Sequence, residues 1–530
     1  MQLLNKATLG WLASSSSSTI SPNQAPVPPL VGVPNYDAAR DLSPGILHIG
    51  VGNFFRAHFA NYLDQLFNQD VESHQQWGII GAAVQDGSYS HRRQVLESQD
   101  MLYTLVERNG HGAKARIVSS ILELLPYDPK FTPVREKLQD PHIQIVSTCI
   151  TEGGYYLCPS TGSLDIDHPK IQHDISHPED PQTILGVLVQ ALRQRREAGI
   201  SPFTVVCCDN IPHNGDTTRH VVCRLAELQD PDLSQWIQEK VCFPNSMVDR
   251  ITPKTGQKEI AFVQETYGIQ DEDPVFCEPF IQWVMEDKFV NGERPALEKV
   301  GVQFVENVEP YELAKLRVLN GGHASLCYPA ALLGIEYVHE AMEHPVIGTF
   351  LDCLERTEIV PVVPPLPDIS AVDYWETIQE RFKNPTIYDR IDRNCEDGSD
   401  RQPKFTIPAI KAAIKHGSLP LDGLALVSAM WCRYCQGTDE AGHKLPPNDK
   451  NWKVLTAAAQ EAKTNPSAWL TMKEIYGSVG EDKRFANAFA NALRTVNEKG
   501  VEAAMRTYIA KNMHVLPNKE NIPALTMTGP

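Results

Sequence analysis

In the first half of the chain the apolar positions form short unbroken runs, each closed by a polar turn. Gly45-Ile46-Leu47-His48-Ile49 leads straight into Gly50-Val51-Gly52-Asn53-Phe54-Phe55-Arg56-Ala57-His58, after which apolar residues recur helically at Ala60, Leu63, Leu66 and Phe67. A second run over 78–84 ends at Gln85-Asp86. Runs over 143–149 and 204–208 end in Thr151-Glu152-Gly153-Gly154 and Asp209-Asn210. Runs that do not alternate suit strands covered on both faces, so the pattern predicts a parallel sheet. Ligands of such sheets bind beyond the carboxyl ends of the strands, which places these turns around a crevice. Strand, glycine turn and helix together form the context of a dinucleotide fingerprint, although Phe55 takes the third glycine position. Asp86 is placed to accept hydrogen bonds from a ribose diol. The alternative is an ordinary strand-to-helix turn.

Beyond about residue 305 the periodicity becomes helical, over 312–333, 409–416, 424–435 and 482–497, and strand signals become scarce. The predicted organisation is therefore an α/β dinucleotide-binding domain over 1–305 and a mainly α-helical domain over 306–530. The segment 14–34, rich in Ser and Pro, reads as a surface excursion, or alternatively as part of a transit peptide. A rigid Pro-rich connector spans 361–367.

A chain of 530 residues is long enough for two or three domains. Its 42% hydrophobic and 22% charged residues are those of a soluble globular protein. The net charge of −18 argues against nucleic acid or an anionic membrane as a partner. It leaves room for a phosphate-bearing cofactor held at a helix N-terminus. No apolar run approaches the length of a membrane span. The 12 cysteines lack disulfide-framework spacing and read as reduced thiols of a cytoplasmic protein. Cys432 and Cys435 have no second half-site, so a structural role is expected rather than a metal site.

The segment Lys315-Leu316-Arg317-Val318-Leu319-Asn320-Gly321-Gly322-His323 carries the chemistry. At about 100° per residue on an α-helix, Lys315, Asn320 and His323 point near roughly 0°, 140° and 80°, and Glu312 near roughly 60°. Four polar groups thus share one side of an otherwise apolar segment, and burying them costs free energy unless they act together. A general base flanked by hydrogen-bond donors is one such arrangement. A solvated helix face with a chance cluster is the plain alternative. For Asp249 the alternatives are a polyol contact, an exposed loop charge, or a salt bridge with Arg250.

These motifs, in this order, resemble the polyol-specific long-chain dehydrogenase family over nearly the whole chain. The resemblance rests on Gly50-Val51-Gly52-Asn53-Phe54 with Arg56-Ala57-His58, on Thr151-Glu152-Gly153-Gly154-Tyr155, and on Cys208-Asp209-Asn210 with His213-Asn214-Gly215. It continues through 243–251, Glu278-Pro279-Phe280, the Lys315/Asn320/His323 signature, and Asp397-Gly398-Ser399-Asp400-Arg401. Phe55 departs from the family's His. The resemblance implies a Rossmann-type N-terminal domain, a helical C-terminal domain, and metal-independent oxidation of a sugar alcohol by NAD in a cytoplasmic monomer. It implies cofactor contacts at Gly50, Gly52, Asn53, Phe54, Arg56, Asp86, Thr151, Glu152 and Asn210. Lys315 would be the base, Asn320 and His323 would hold the reacting oxygen, and Glu312 would relay protons. Asn210, Asp249, Arg393 and Arg401 would contact the polyol. A lysine with an ordinary pKa of about 10.4 is protonated near neutrality, so this chemistry expects burial and cofactor charge to lower it.

Overall fold

The computed structural model describes residues 2–15, 31–158 and 161–516. Contacts divide the chain into two compact units, Met1–Glu309 and Pro310–Pro530. Most of the Ser/Pro-rich excursion, residues 16–30, lies outside the described residues. Its far end, Val31–Gly32, runs parallel to the strand Gly112–Val118.

The first unit is organised by five parallel strands: β1 (Pro44–Ile49), β2 (Gly78–Ala82), β3 (Ile121–Leu124), β4 (Ile145–Thr148) and β5 (Thr204–Cys207). Their spatial order is β3-β2-β1-β4-β5. This is the order of a Rossmann sheet, whose switch point lies between its first and fourth strands. The unbroken apolar runs have a simple cause, because successive side chains of each strand enter two different cores. Leu47, Ile49, Ile80, Val146 and Val205 pack beneath the helices Ile184–Ala198 and Asn214–Gln229. Ile46, Ile79, Ile145 and Val206 pack on the opposite face with Ala60, Leu63, Leu66 and Phe67 of the helix Phe59–His74.

Phe55 belongs to that second core. Its ring stacks on His48 at 3.6 Å, and His48 bonds Ser147 Oγ at 2.8 Å. Burial pushes His48 down to about 3, so the stacked imidazole is neutral.

The second unit is helical. Its cores gather around the fully buried Trp375, Trp431 and Trp469. The helix Lys483–Lys499 shows how the pattern works, since Phe485, Phe489, Leu493 and Val496 form its single buried stripe. Cys432 and Cys435 lie within this core as free thiols, pushed up by burial. Among the described residues, no group of three or more His, Cys, Asp and Glu side chains could hold a metal ion. None of the described helices is long and apolar enough to cross a membrane.

Gly50, at the end of β1, is fixed by its backbone. Its φ is +111°, and a Cβ there would lie 2.0 Å from the Cys149 carbonyl oxygen. Gly50→Ala should therefore cost about 2–4 kcal/mol from left-handed strain and overpacking. The check is a lowered thermal midpoint, measured by calorimetry on both proteins.

Candidate active site

A cleft of about 730 Å³ opens at the carboxyl ends of β1, β2 and β4. Gly50, Gly52, Asp86 and Thr151 line it, together with Arg92, Tyr127 and Tyr156. Asp86 accepts hydrogen bonds from the Ser90 amide and hydroxyl, which hold its carboxylate at the rim. The two arginines after Asp86 are committed elsewhere. Arg92 pairs with Asp273 at 2.7 Å and donates to the Val51 carbonyl, while Arg93 pairs with Glu97 and donates to the Leu124 carbonyl.

The other residues expected at the cofactor are placed differently. Arg56 is fully buried and does not line the cleft; it pairs with Asp273 at 3.2 Å and donates to the Asp273 carbonyl and Asn53 Oδ1. It braces the glycine loop from behind, because a guanidinium inside the core needs acceptors on the protein. Asn53 extends this brace through Pro253 and Thr255, and Phe54 stacks on His58. Glu152 opens a short 3-10 turn, and Asn210 is exposed in the turn after β5. Asp249 is buried at the end of the strand Ser246–Asp249, so it is not an exposed loop charge. Arg250 reaches away to Glu107 and the Ala57 and Glu278 carbonyls.

Asp209 joins two of these turns. Its carboxylate accepts from the Ile150 and Thr151 amides and from the Tyr155 hydroxyl, at 2.9, 2.8 and 2.6 Å. This clasp holds Thr151 at φ 64° and ψ 163°. A β-branched residue there costs about 1–3 kcal/mol and persists only where its surroundings impose it. The sequence marks Asp209 as a turn residue, but nothing in its spacing announces the clasp.

In the second unit the signature departs from α-helical geometry. Glu309–Ala314 is α-helical, Lys315–Asn320 is a π-helix, and Gly321–Leu332 is α-helical again. The Gly321 amide donates to the Leu316 carbonyl five residues back. The angles expected from a regular α-helix are therefore corrected. In a π turn a residue five positions on lies over the first, which brings Asn320 back to the side of Lys315. Three further residues carry His323 nearly one full turn to the same side. Lys315, Glu312 and His323 are buried and Asn320 is half-buried, so the group is not a solvated face.

Residues distant in sequence complete this side. The His323 ring lies against Phe382 with centroids 4.1 Å apart, and its Nε2 is 3.2 Å from Asp389 Oδ2. Burial pushes His323 down, toward the neutral form. Burial alone would raise Asp389, but the facing imidazole and Arg393 outweigh it and leave the carboxyl at about 2. Arg393 is half-exposed and pairs with Asp389 Oδ1 at 2.9 Å; Arg401 lies over the Phe405 ring at 5.6 Å. Gly322 is needed for packing, since a Cβ there would meet Glu355 Oε1 at 3.1 Å and Phe382 at 3.3 Å.

Two family models match the chain: the mannitol dehydrogenase Rossmann domain over residues 44–299 and the mannitol dehydrogenase C-terminal domain over 307–497. The chain belongs to the mannitol dehydrogenase family. It is 48% identical to mannitol 2-dehydrogenase of Cereibacter sphaeroides over 477 residues, covering 90% of this chain and 98% of that one. It is 40% identical to the Aspergillus terreus enzyme of the same name, covering 90% and 96%. Among solved structures it is similar to Pseudomonas fluorescens mannitol 2-dehydrogenase in ternary complex with NAD and D-mannitol. That match has a TM-score of 0.85 and 38% identity, covering 96% of this chain and all of that one. A substrate-free D-sorbitol dehydrogenase is also similar, with a TM-score of 0.80, 32% identity and coverage of 95% and 100%.

Glu355 begins a second π segment, Glu355–Ile359, and neither of its buried oxygens has a hydrogen-bond partner among the described residues. Burial, reinforced by Asp352, raises this carboxyl well above its ordinary value. The folded protein therefore keeps a proton that the unfolded chain releases, and stability is lost as pH climbs above the ordinary carboxyl range. Glu355→Gln should raise the thermal midpoint at pH 7–8 and change it little near pH 4. Midpoints of both proteins across that range provide the check.

Proposed function

We propose that this protein oxidises a secondary hydroxyl of a sugar alcohol with NAD, converting D-mannitol to D-fructose and catalysing the reverse reduction. One observation supports the reading most: the signature of this mannitol dehydrogenase family chain begins in a π turn, Lys315–Asn320, within a buried helix, and the wider turn would set Lys315, Asn320 and His323 on one side. The cleft suits the cofactor. Gly50 and Gly52 line it, and Asp86 presents a carboxylate beyond the end of β2. That carboxylate can accept from a ribose diol and repels a 2′-phosphate, which favours NAD over NADP. With Arg92 and Arg93 held by other partners, the preference rests on Asp86.

NAD, when bound, accepts the hydride that leaves the carbinol carbon. The chain's own groups handle the proton. Lys315 Nζ takes it from the hydroxyl oxygen, so the C–O bond gains its second bond as the carbon gives up hydride. Asn320 donates its amide to that oxygen, and His323 keeps the oxygen in line with Lys315. Glu312, one turn before Lys315, passes the proton to solvent. Asn210, Asp249, Arg393 and Arg401 hold the remaining hydroxyls. A lysine that receives the proton directly leaves no step that needs a metal ion.

Initial rates of NADH formation with D-mannitol, D-arabinitol and D-sorbitol, and of NADH consumption with D-fructose and fructuronate, test the substrate. The expected order puts D-mannitol and D-fructose first, with NAD well above NADP in kcat/KM. A preference for arabinitol or for fructuronate would replace mannitol with a related polyol or a sugar acid, and no activity on any of them would overturn the reading.

A further inference from the structure

His323 is buried, yet its Nε2 has no aligned hydrogen-bond partner, and neither has Asp389 Oδ2, which lies 3.2 Å away. The two atoms are close but not collinear with the N–H. Contacts of this kind are often misaligned before substrate binds. Asp389 itself is firmly held. Its Oδ1 accepts from Arg393 at 2.9 Å and from Asn394 Nδ2 at 3.1 Å, and its carbonyl accepts from the Val338 amide at 2.9 Å. On the other side of the imidazole, Phe382 fixes the plane of the ring. A carboxylate that is anchored on one oxygen and aims the other at an imidazole edge sets the tautomer of that ring.

We propose that Asp389 is the positioning residue of His323, keeping the imidazole proton on Nε2 so that Nδ1 is the nitrogen left for the substrate. The role at the substrate rests on the polyol dehydrogenase reading. The tautomer itself does not. In the neutral ring Nδ1 has a lone pair and no proton, so it accepts a hydrogen bond from the hydroxyl next to the reacting one, and this keeps the reacting oxygen in line with Lys315. Donation to the developing alkoxide then falls to Asn320 and to Lys315 once it has taken the proton. This reverses the direction of the hydrogen bond that the helix signature alone suggests for His323. It also ties Arg393 to the same unit, because the guanidinium expected at the polyol braces the carboxylate that sets His323.

Two measurements test this. The first is a histidine ring ¹⁵N–¹H spectrum of the full protein, with His323 assigned by its loss in His323→Ala. The wild type should show Nε2–H, and Asp389→Asn should show a mixture of tautomers or Nδ1–H. Nδ1–H in the wild type, or an unchanged spectrum in the variant, overturns the proposal whether or not the protein oxidises any polyol. The second is a kinetic cycle. Asp389→Asn should lower kcat by about 10–100-fold, with the KM for NAD unchanged. In a His323→Ala background it should add less than about two-fold, because it acts through that ring. Equal losses in both backgrounds would show a general structural effect and overturn the role assigned here.

Discussion

The hydrogen bond from the Gly321 amide to the Leu316 carbonyl, one residue longer than in an α-helix, is the feature on which the site in the helical unit depends. It widens a single turn, and that widening turns a Lys-x4-Asn-x2-His spacing into three groups on one side. A regular helix would aim Asn320 well away from Lys315. π turns are rare because their backbone geometry is unfavourable, and they occur mostly where function requires them. Here the turn sits inside continuous helix, between Glu309–Ala314 and Gly321–Leu332, and the surrounding core holds it.

The two units support their polar groups in different ways. In the sheet unit the support comes from backbone and carboxylates at strand ends. Asp209 clasps the turn after β4 and holds Thr151 in a strained conformation, while Arg56 braces the glycine loop from within. In the helical unit the support comes from side chains far apart in sequence: Phe382 against the face of His323, Asp389 at its edge, and Glu355 against Gly322. The buried carboxylates carry a desolvation cost, and Asp389 lies where the His323 ring is held in one orientation.

Much of this was legible in the sequence. The strands β1, β2, β4 and β5 follow from unbroken apolar runs, because both faces of the sheet are covered. The helical unit follows from periodicity, since a stripe such as Phe485, Phe489, Leu493 and Val496 is a local property. The π turn was not legible. Its sequence, Lys315 to Asn320, has ordinary helical residues, and nothing in their spacing marks the longer hydrogen bond. The family resemblance implies a cofactor contact at Arg56, but a motif does not tell the cleft side of a turn from the core side, where Arg56 lies. Asp389 could not be picked out of the charged stretch Asp389-Arg390-Ile391-Asp392-Arg393, because its partner His323 is more than sixty residues away. Glu355 was hidden because a glutamate in a helical stretch reads as solvated, and only the fold buries it.

If the π turn presents Lys315 as the base, the titration of that lysine sets the rate of oxidation. The pH dependence of kcat/KM for D-mannitol oxidation, compared between wild type and Lys315→Ala, tests it most directly. The wild type should show a single limb rising with pH. The variant should lack this limb, and its kcat should fall by at least the roughly 10²–10⁴ that a general base contributes. NADH binding should persist, since the cleft belongs to the sheet unit. A variant with near-normal kcat, or with the same rising limb, would contradict the account and move the base to His323 or Glu312.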